Sequence, residues 1–516
     1  MLMPFSPEPY VDFTQDGPRS KMLAALEQVG KQLGRHYPLH IGGKTVETKD
    51  KIQSVSPADP DLVVGVMSKA SADQADQAVK LAAERFKEWA SWSGEARGRI
   101  LVKAAAIARR RVYELAAWQC YEVSKSWIEA YADVCEGIDF MDFYGREAMR
   151  LDGAHPVTPF PGEENEVRYM PLGVGVIIPP WNFPFAICCG MTTASLVTGN
   201  TTVLKPASTA PVVAAKLVEI LHQAGLPAGV LNFVPGSGAA IGDTLVCHPL
   251  TRFIAFTGSM EVGLGIFEKA ARMSEGQIWL KRTILEMGGK DCIVVDETAD
   301  LDAAAEGVVA GAFGFQGQKC SACSRLIVHK EVHQPLLERV VARAGRITIG
   351  NTTTSENFFM GAVIDPAAQK KNRDYIGIGK KEGKAVLADG KVPDKGYFVP
   401  PTIIDGVDRN ARIAQEEIFG PVLAVIEGRD FDDLLSIANG TIYGLTGALY
   451  SNDRQRLERA RRELHVGNLY LNRKCTGALV DVQPFGGFNM SGTDSKAGGR
   501  DYLQLFMQAK SITERF

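Results

Sequence analysis

The sequence has no apolar run long enough to cross a membrane and no excess of charge of one sign. None of its uninterrupted hydrophobic stretches approaches the ~18 residues that a bilayer span needs. With 57 basic and 60 acidic residues the formal net charge is −3, so nothing favours nucleic acid or an anionic membrane as a partner. The N-terminus lacks a basic stretch followed by an apolar core, and we expect no signal peptide.

The cysteines are too scattered for a disulfide framework. There are 9 of them in 516 residues, an odd number without the regular spacing of a disulfide-rich fold. We therefore expect a reducing compartment, and the cytoplasm is the simplest. The sequence also contains no tandem repeat and no low-complexity tract.

The chain that is present has the composition of a large globular protein. A length of 516 residues exceeds what one compact core usually serves, so we expect two or more domains. Residues 71–150 follow helical spacing, and from Gly173 short apolar strands alternate with helices, which indicates βαβ units and a parallel sheet. The alternation restarts after Glu286, where we place a boundary between two α/β lobes. Residues 380–395 are rich in Lys, Gly and Asp and predict a solvated loop or hairpin.

Two glycine-rich turns are candidate phosphate-binding sites. The first, GSGAAIG, begins at Gly236 after a predicted strand, but its last glycine falls one residue later than the usual dinucleotide fingerprint. The second begins at Gly258 after the next strand. Each turn taken alone is as consistent with close packing of the backbone as with phosphate binding. Two in succession favour a dinucleotide whose phosphates lie against helix N-termini.

The most informative stretch is GQKCSA at residues 317–322, which contains Cys320. A buried structural cysteine usually has apolar neighbours, whereas this one has Gln, Lys and Ser. Lys319 is expected to favour the thiolate, the nucleophilic form. The alternative is an inert loop thiol. Cys323 completes a C-x-x-C pair, and we interpret it as a packing residue that is close enough, as a hypothesis, to form an inactivating disulfide with Cys320 in oxidant.

No metal site is predicted. The C-x-x-C pair has no second pair to complete a zinc site. The H-x-x-x-H spacings lack the glutamate of an H-E-x-x-H site, and we interpret them as structural or surface histidines: His36, His40, His329 and His333.

Two polar residues complete a candidate catalytic centre with Cys320. Glu286 precedes two glycines, which leave room for a ligand, although an exposed loop acid is the alternative. Asn182 lies in an aromatic turn bounded by prolines, where an unpaired buried amide would cost ~1–3 kcal/mol; an oxyanion is one suitable partner. A thiol, a carboxylate and an amide donor are the groups that oxidation of an aldehyde through a thioester requires.

In order and spacing, the motifs resemble those of the NAD(P)-dependent aldehyde dehydrogenase superfamily over essentially the whole chain. They are PWNFP (180–184), KP (205–206), FTGS (256–259), EMGGK (286–290), GQKC (317–320) and EEIFGP (416–421). Three further segments resemble the branch that oxidises L-glutamate γ-semialdehyde, formed from 1-pyrroline-5-carboxylate in proline catabolism, to L-glutamate. These are FGFQGQKCSA (313–322), NRKCTGA (472–478) and PFGG (484–487).

The resemblance implies an α/β fold of three parts. They are a Rossmann-type NAD-binding domain (1–150 and 171–285), an α/β catalytic domain (286–499) and a small β flap for oligomerisation (151–170 and 500–516). It also implies NAD as cofactor, a homo-oligomer built from dimers and a proline dehydrogenase as a partner.

The resemblance further implies roles for individual residues. Cys320 would attack the aldehyde, Asn182 and the Cys320 N–H would hold the oxyanion, and Glu286 would activate water. The implied cofactor contacts are Trp181, Lys205, Ser208, Gly236, Gly258, Ser259, Glu417 and Phe419. The implied substrate contacts are Glu136, Phe183, Ser321, Gly477, Ala478 and Phe485. Ser208 stands where many superfamily members carry a glutamate that repels a 2′-phosphate, so we expect NADP to be accepted alongside NAD.

Other functions remain open at this point. They are another semialdehyde dehydrogenase of the superfamily, a CoA-acylating enzyme, and a cysteine-dependent hydrolase or acyltransferase, which needs a histidine base near Cys320. A non-catalytic structural protein is a further alternative, although intact Cys320, Glu286 and Asn182 argue against it.

Overall fold

The computed structural model describes residues 3–516. Within them, no helix is both long and apolar enough to cross a bilayer, and no group of three or more His, Cys, Asp or Glu side chains is arranged to hold a metal ion. The helices are α1 (Asp16–Gly30), α2 (Ala72–Ala90), α3 (Gly94–Arg110), α4 (Val112–Val123), α5 (Trp127–Arg150), α6 (Ala186–Val197), α7 (Pro211–Ala224), α8 (Asp243–Cys247), α9 (Met260–Ala271), α10 (Leu301–Phe313), α11 (His333–Ala344), α12 (Pro366–Glu382), α13 (Arg412–Gln415), α14 (Phe431–Asn439) and α15 (Arg454–Glu463).

The strands of the described residues form several separate sheets. In chain order they are β1 (Arg35–Tyr37), β2 (Leu39–Ile41), β3 (Lys44–Val46), β4 (Lys51–Ser56), β5 (Asp59–Ser68), β6 (Ala154–Pro156), β7 (Glu163–Pro171), β8 (Val174–Ile178), β9 (Thr201–Leu204), β10 (Leu231–Phe233), β11 (Thr251–Thr257), β12 (Arg282–Glu286), β13 (Cys292–Val295), β14 (Arg325–His329), β15 (Lys384–Leu387), β16 (Thr402–Asp405), β17 (Val422–Gly428), β18 (Tyr443–Gly444), β19 (Thr446–Tyr450), β20 (Asn468–Leu471), β21 (Phe488–Asn489) and β22 (Met507–Arg515).

Two seven-stranded sheets form the centres of two α/β lobes. The first has the order β12-β11-β8-β9-β10-β2-β3, with β8 to β12 parallel. The second has the order β15-β16-β17-β14-β13-β19-β20 and is parallel except for the edge strand β15. Strands such as β8 and β13 are buried along their whole length, as expected when helices cover both faces of a parallel sheet. The prediction of two parallel-sheet lobes is confirmed.

A smaller antiparallel sheet lies outside the two lobes. It has the order β22-β7-β6, and β22 pairs with β7 along its entire length, from Met507 opposite Pro171 to Arg515 opposite Glu163. Most side chains of β22 are exposed. The C-terminal strand therefore extends a hairpin that leaves the first lobe just before β8.

Local sequence signals account for many element boundaries. Ser71 caps α2, and its hydroxyl and the Gln74 side chain form the predicted reciprocal capping box. Pro211 occupies the first turn of α7, where its missing N–H removes no hydrogen bond. Gly225 ends that helix in the left-handed conformation, at a φ of 104°, which glycine adopts without strain.

The prediction for residues 380–395 is wrong in part. Helix α12 continues to Glu382, and Lys384–Leu387 forms strand β15, which pairs with β16. Lysine is tolerated there because β15 is the edge strand of its sheet, and its outer side faces solvent. Only the residues after Leu387 form the expected loop.

Candidate active site

The carboxyl ends of five neighbouring parallel strands carry the predicted motifs of the first lobe. Asn182 follows β8, Lys205 follows β9 and Gly236 follows β10. Gly258 follows β11, and Glu286 is the last residue of β12. Ligands bind open α/β sheets at this edge, so the topology alone gathers residues that are far apart in sequence.

The amino ends of strands in the second lobe face that edge. Cys320 precedes β14, and Glu417 precedes β17. A hydrogen bond joins the two groups of loops, because Asn182 Nδ2 donates to the Gln318 carbonyl oxygen at 3.0 Å. Asn182 is only 4% exposed, so its amide is fixed beside the cysteine loop.

Glu286 is held by a residue that the sequence did not single out. Its Oε1 accepts hydrogen bonds from Ser495 Oγ at 2.5 Å and from Ser495 N at 3.4 Å, whereas its buried Oε2 has no partner. Burial raises the pKa of Glu286 to about 7, although the bonds from Ser495 oppose the shift. A carboxyl group with that pKa exchanges a proton readily near neutral pH.

The expectation that Lys319 favours the Cys320 thiolate is wrong. Lys319 Nζ donates to Glu129 Oε1 at 2.6 Å. Burial, together with the carboxyl groups of Asp291, Glu286 and Glu417, raises the pKa of Cys320 well above its ordinary value. Adjacent side chains in a loop leave the backbone in different directions. Lys319 is therefore next to Cys320 in sequence, but its ammonium group pairs with the Glu129 carboxylate of helix α5.

Cys323 is a core residue. It is 1% exposed and belongs to the hydrophobic cluster that also contains Cys475. Its thiol donates to the Arg325 carbonyl oxygen at 3.5 Å. Both Cys320 and Cys323 are free thiols, and a disulfide between them stays a hypothesis.

One cavity of about 140 Å³ brings Cys320 and Glu286 together with the predicted substrate residues, whereas Asn182 does not line it. Its walls contain the thiol of the second lobe and the carboxyl group of the first, together with three phenylalanine rings. Of the predicted residues it is lined by Cys320, Glu286, Glu136, Phe183, Ser321, Gly477, Ala478 and Phe485. No histidine of the described chain is among its lining residues.

A second group of predicted residues surrounds Gly236. Lys205 Nζ donates to the carbonyl oxygens of Pro206 and Gly236, each at 3.2 Å, and Ser208 Oγ donates to Gly236 O at 3.4 Å. Burial lowers the pKa of Lys205 to about 8. Ser237 caps the π-helical turn at Gly238–Gly242, and Ser259 caps α9. Both helix starts are accessible, with N–H groups that suit an anion.

The remaining predicted cofactor residues lie near the cysteine loop. Glu417 Oε1 accepts from Gly289 N at 2.9 Å, and a Cβ on Gly288 would lie 2.4 Å from the other Glu417 oxygen, so a larger residue there would displace the Glu417 carboxyl group. The Phe419 ring meets Trp181 edge-on, with 5.6 Å between ring centroids. An ammonium, hydroxyl groups, helix N-termini and a carboxylate match the phosphates and ribose hydroxyls of a dinucleotide.

Comparison with known proteins agrees with this geometry. A model of the aldehyde dehydrogenase family matches residues 45–512. The chain belongs to the aldehyde dehydrogenase family. A relative from Geobacillus thermodenitrificans, named 1-pyrroline-5-carboxylate dehydrogenase, is 57% identical over 516 residues, which cover 100% of both chains.

Two solved structures are similar to this aldehyde dehydrogenase over nearly its whole length. The crystal structure of 1-pyrroline-5-carboxylate dehydrogenase from Thermus with bound NAD is 53% identical, with a TM-score of 0.98 and 100% coverage of both chains. Proline utilization A (PutA) from Bdellovibrio bacteriovorus is 43% identical, with a TM-score of 0.97, and the match covers 99% of this chain and 53% of that one.

Sequence reasoning missed three features of the site. Ser495 binds Glu286 from a segment 209 residues away, and Tyr10 lines the cavity from the N-terminus. In the cavity wall, Asp133 pairs with Lys125 at 3.0 Å, with both side chains fully buried. The spacing of Glu129, Asp133 and Glu136 on one face of α5 was the signal that could have revealed the acidic wall.

Proposed function

We propose that this aldehyde dehydrogenase oxidises L-glutamate γ-semialdehyde, the open form of 1-pyrroline-5-carboxylate, to L-glutamate with NAD. The observation that carries the proposal is the single cavity that contains the Cys320 thiol, the Glu286 carboxyl group and the loops of Ser321 and Gly477. The full-length relative with 57% identity bears the name of that activity, and the Thermus relative, which is 53% identical, was crystallised with NAD.

In the first step the Cys320 sulfur bonds to the aldehyde carbon, and the carbonyl π electrons move to the oxygen. Glu286, whose pKa lies near 7, accepts the thiol proton, which also removes a negative charge that disfavours the thiolate. The second N–H of the Asn182 amide and the Cys320 backbone N–H hold the oxyanion. Each such donor typically contributes ~3–4 kcal/mol.

The cofactor residues of this chain would bind and orient the dinucleotide. Lys205 and Glu417 would hold the two riboses, Ser259 and the turns at Gly236 and Gly258 the phosphates, and Trp181 and Phe419 would border the nicotinamide. Bound NAD supplies the hydride acceptor that converts the adduct on Cys320 to a thioester.

Hydrolysis of the thioester would follow at Glu286. Glu286 first releases to solvent the proton it accepted from the thiol, and the ionised carboxylate then takes a proton from water as the water oxygen attacks the acyl carbon and the Cys320 sulfur leaves as thiolate. The product is L-glutamate, and the enzyme returns to its starting state when the proton held by Glu286 passes to the Cys320 thiolate.

The cavity has the charges expected for an α-amino-acid head. Lys319 and Glu129 form an ion pair in its wall, and burial raises the pKa of Glu136 to about 8. Ser321 and the N–H groups of Gly477 and Ala478 would receive the α-carboxylate, while Phe183 and Phe485 would enclose the aliphatic stem. A bound ammonium would favour the ionised form of Glu136.

A panel of short aldehydes with and without an α-amino-acid head tests this proposal. We expect the highest kcat/KM for NAD reduction with glutamate semialdehyde. A higher kcat/KM with another semialdehyde would show that the proposed substrate is wrong. A requirement for CoA, or ester hydrolysis without NAD, would contradict the proposed reaction. The histidine-free cavity wall argues against the hydrolase and acyltransferase alternatives.

Removing the Ser495 hydroxyl should shift the pH dependence of turnover. The bonds from Ser495 stabilise ionised Glu286 and lower its pKa, so Ser495→Ala raises it. A hydrogen bond to a charged group is worth about 1.5–3 kcal/mol, hence the rising limb of kcat against pH should move upward by about one pH unit or more. Ser495→Thr, which keeps the hydroxyl, is the control. If the rising limb of the pH profile does not shift in Ser495→Ala, the proposed effect of Ser495 on the Glu286 pKa is contradicted.

We expect measurable turnover with NADP. Ser208 lies beside Gly236 and Lys205 and has no negative charge to repel a 2′-phosphate. Ser208→Glu should reduce kcat/KM for NADP at least about tenfold through charge repulsion and should affect kcat/KM for NAD less. Ser208→Gln, which adds no charge, should leave the ratio of the two values unchanged. No rate with saturating NADP in the unmodified enzyme would contradict the expectation.

We also propose the domain division and assembly implied by the family resemblance. Residues 1–150 and 171–285 would bind NAD, 286–499 would supply the catalytic thiol, and 151–170 with 500–516 would form an oligomerisation flap in a homo-oligomer built from dimers. Exposed apolar side chains of α9 and the segment after it support a dimer contact: Val262, Leu264, Phe267, Ile278 and Leu280.

The match to about half of a protein named proline utilization A (PutA) supports a role in proline catabolism, with a proline dehydrogenase as the partner that supplies substrate. The free cysteines support a cytoplasmic location.

A further inference from the structure

The N-terminal segment 3–15, called here the N-terminal strap, packs on helix α5. Phe13 is 4% exposed, and its ring meets Trp127 and Tyr131 edge-on, with ring centroids 5.8 Å apart in both pairs. Near its start the Phe5 ring packs on Phe143 at 5.2 Å. The strap is therefore anchored at both ends by aromatic contacts with one helix.

Polar bonds fix the middle of the strap. The backbone N–H of Glu8 donates to Asp139 Oδ1 at 2.9 Å, and the Glu8 carboxylate pairs with Arg109 at 2.7 Å. The Glu8 side chain is 16% exposed, so this ion pair is shielded from solvent on one side. Tyr10 follows two residues later, between the Glu8 and Phe13 anchors.

Helix α5 presents one face to the strap and the neighbouring face to the substrate cavity. Residues that hold the strap are spaced by four or eight positions: Trp127, Tyr131, Asp139 and Phe143. Residues that line the cavity follow the same helical period, displaced around the axis: Glu129, Ala132, Asp133, Glu136 and Phe140. Because the two faces adjoin, a strap fixed on the first lies at the border of the second.

Tyr10 crosses that border. It is the only strap residue among those lining the cavity, where Glu136 and Glu129 are also lining residues. Burial and the charge of Glu136 raise the pKa of Tyr10, so its hydroxyl stays neutral, while 52% of the residue remains exposed. The ring therefore forms part of the cavity mouth, next to Glu136.

We infer that Tyr10 is a specificity-determining residue, whose ring closes the cavity mouth over Glu136 and limits the length of the amino-acid head that fits. The inference rests on the proposed substrate. Residue 10 lies outside residues 45–512, the part that the family model matches, so Tyr10 is not among the family motifs of the site. A closed mouth excludes water from Glu136 and strengthens its attraction for a bound ammonium.

Kinetics of Tyr10→Ala and Tyr10→Phe test the inference. In Tyr10→Ala we expect the KM for glutamate semialdehyde, and the Kd for L-glutamate measured by calorimetry, to rise about tenfold, which corresponds to loss of about 1.4 kcal/mol of contact, with a smaller change in kcat. The kcat/KM for the homologue with one more methylene should rise relative to glutamate semialdehyde. Tyr10→Phe, which keeps the ring, should retain most of the selectivity.

Val11→Ala is the matched control, because Val11 packs on the core from the same strap and does not line the cavity. Equal losses in Val11→Ala and Tyr10→Ala, or unchanged constants in Tyr10→Ala, would overturn the assignment of Tyr10. A wild-type enzyme that does not prefer glutamate semialdehyde to propanal would instead overturn the proposed substrate, so the two failures are distinguishable.

Discussion

Replacing Cys320 with alanine is expected to abolish NAD reduction with every aldehyde, by at least about 10⁴-fold in kcat, because no other nucleophile is available to form the thioester. The only other thiol in the same loop, Cys323, is buried in the core of the second lobe. The oxyanion donors alone retain at most a small residual rate. The measurement is NADH formation under saturating aldehyde and cofactor, together with calorimetric binding of NAD.

Cys323→Ala is the control for Cys320→Ala. It removes a thiol three residues away without touching the cavity, and we expect it to cost some stability but to leave a working active site. Substantial activity in Cys320→Ala, with NAD binding intact, would contradict covalent catalysis at this residue. The same pair of variants tests the disulfide hypothesis: Cys323→Ala should resist oxidative inactivation only if Cys323 is the partner.

Glu286→Gln is expected to separate acylation from hydrolysis. The amide has nearly the same shape but cannot accept a proton from water, so steady-state turnover should fall about 10²–10⁴-fold, the usual contribution of a general base. If NADH forms before hydrolysis, the variant should show a burst of at most one NADH per active site, smaller if loss of the proton acceptor also slows attack by Cys320. The rising pH limb of the unmodified enzyme, set by the Glu286 pKa of about 7, should disappear.

Intact-protein mass spectrometry after the burst should detect the acyl group on Cys320. Hydroxylamine, a nucleophile that needs no general base, should release it and restore turnover. A Glu286→Gln variant with unchanged kcat, or with a raised KM alone, would show that Glu286 only binds substrate.

The sequence predicted the framework of the site because the framework is local. Apolar runs bounded by glycine and proline define β8 and α7, and each motif directly follows or precedes a buried strand. Once strands alternate with helices, the chirality and order of βαβ units bring the strand ends together. This topology explains why Asn182 and Glu286, assigned from their chemistry, and Lys205, assigned from the family resemblance, lie at one edge of the sheet.

The electrostatics of the site could not be predicted in this way. Lys319 is adjacent to Cys320 in sequence, yet its partner is Glu129, which lies 190 residues away. Ser495 reaches Glu286 across an even longer separation, and serine carries no pattern that distinguishes a positioning residue from a surface one. Contacts of this kind depend on side-chain direction and on the packing of remote segments, which neither periodicity nor spacing encodes.

The chain passes from one lobe to the other directly after Glu286, which ends β12, while β13 begins at Cys292. The glycines of this crossing allow close packing of the backbone rather than flexibility. A Cβ on Gly289 would lie 2.5 Å from the Cys320 carbonyl oxygen, and one on Gly288 would lie 2.4 Å from Glu417. A rotation between the lobes would drive this backbone into its neighbours. Close packing of this crossing against the Cys320 loop thus holds the backbones of the base and the nucleophile near each other, and rotation of the Glu286 and Cys320 side chains remains the way to change the distance between the carboxyl group and the sulfur.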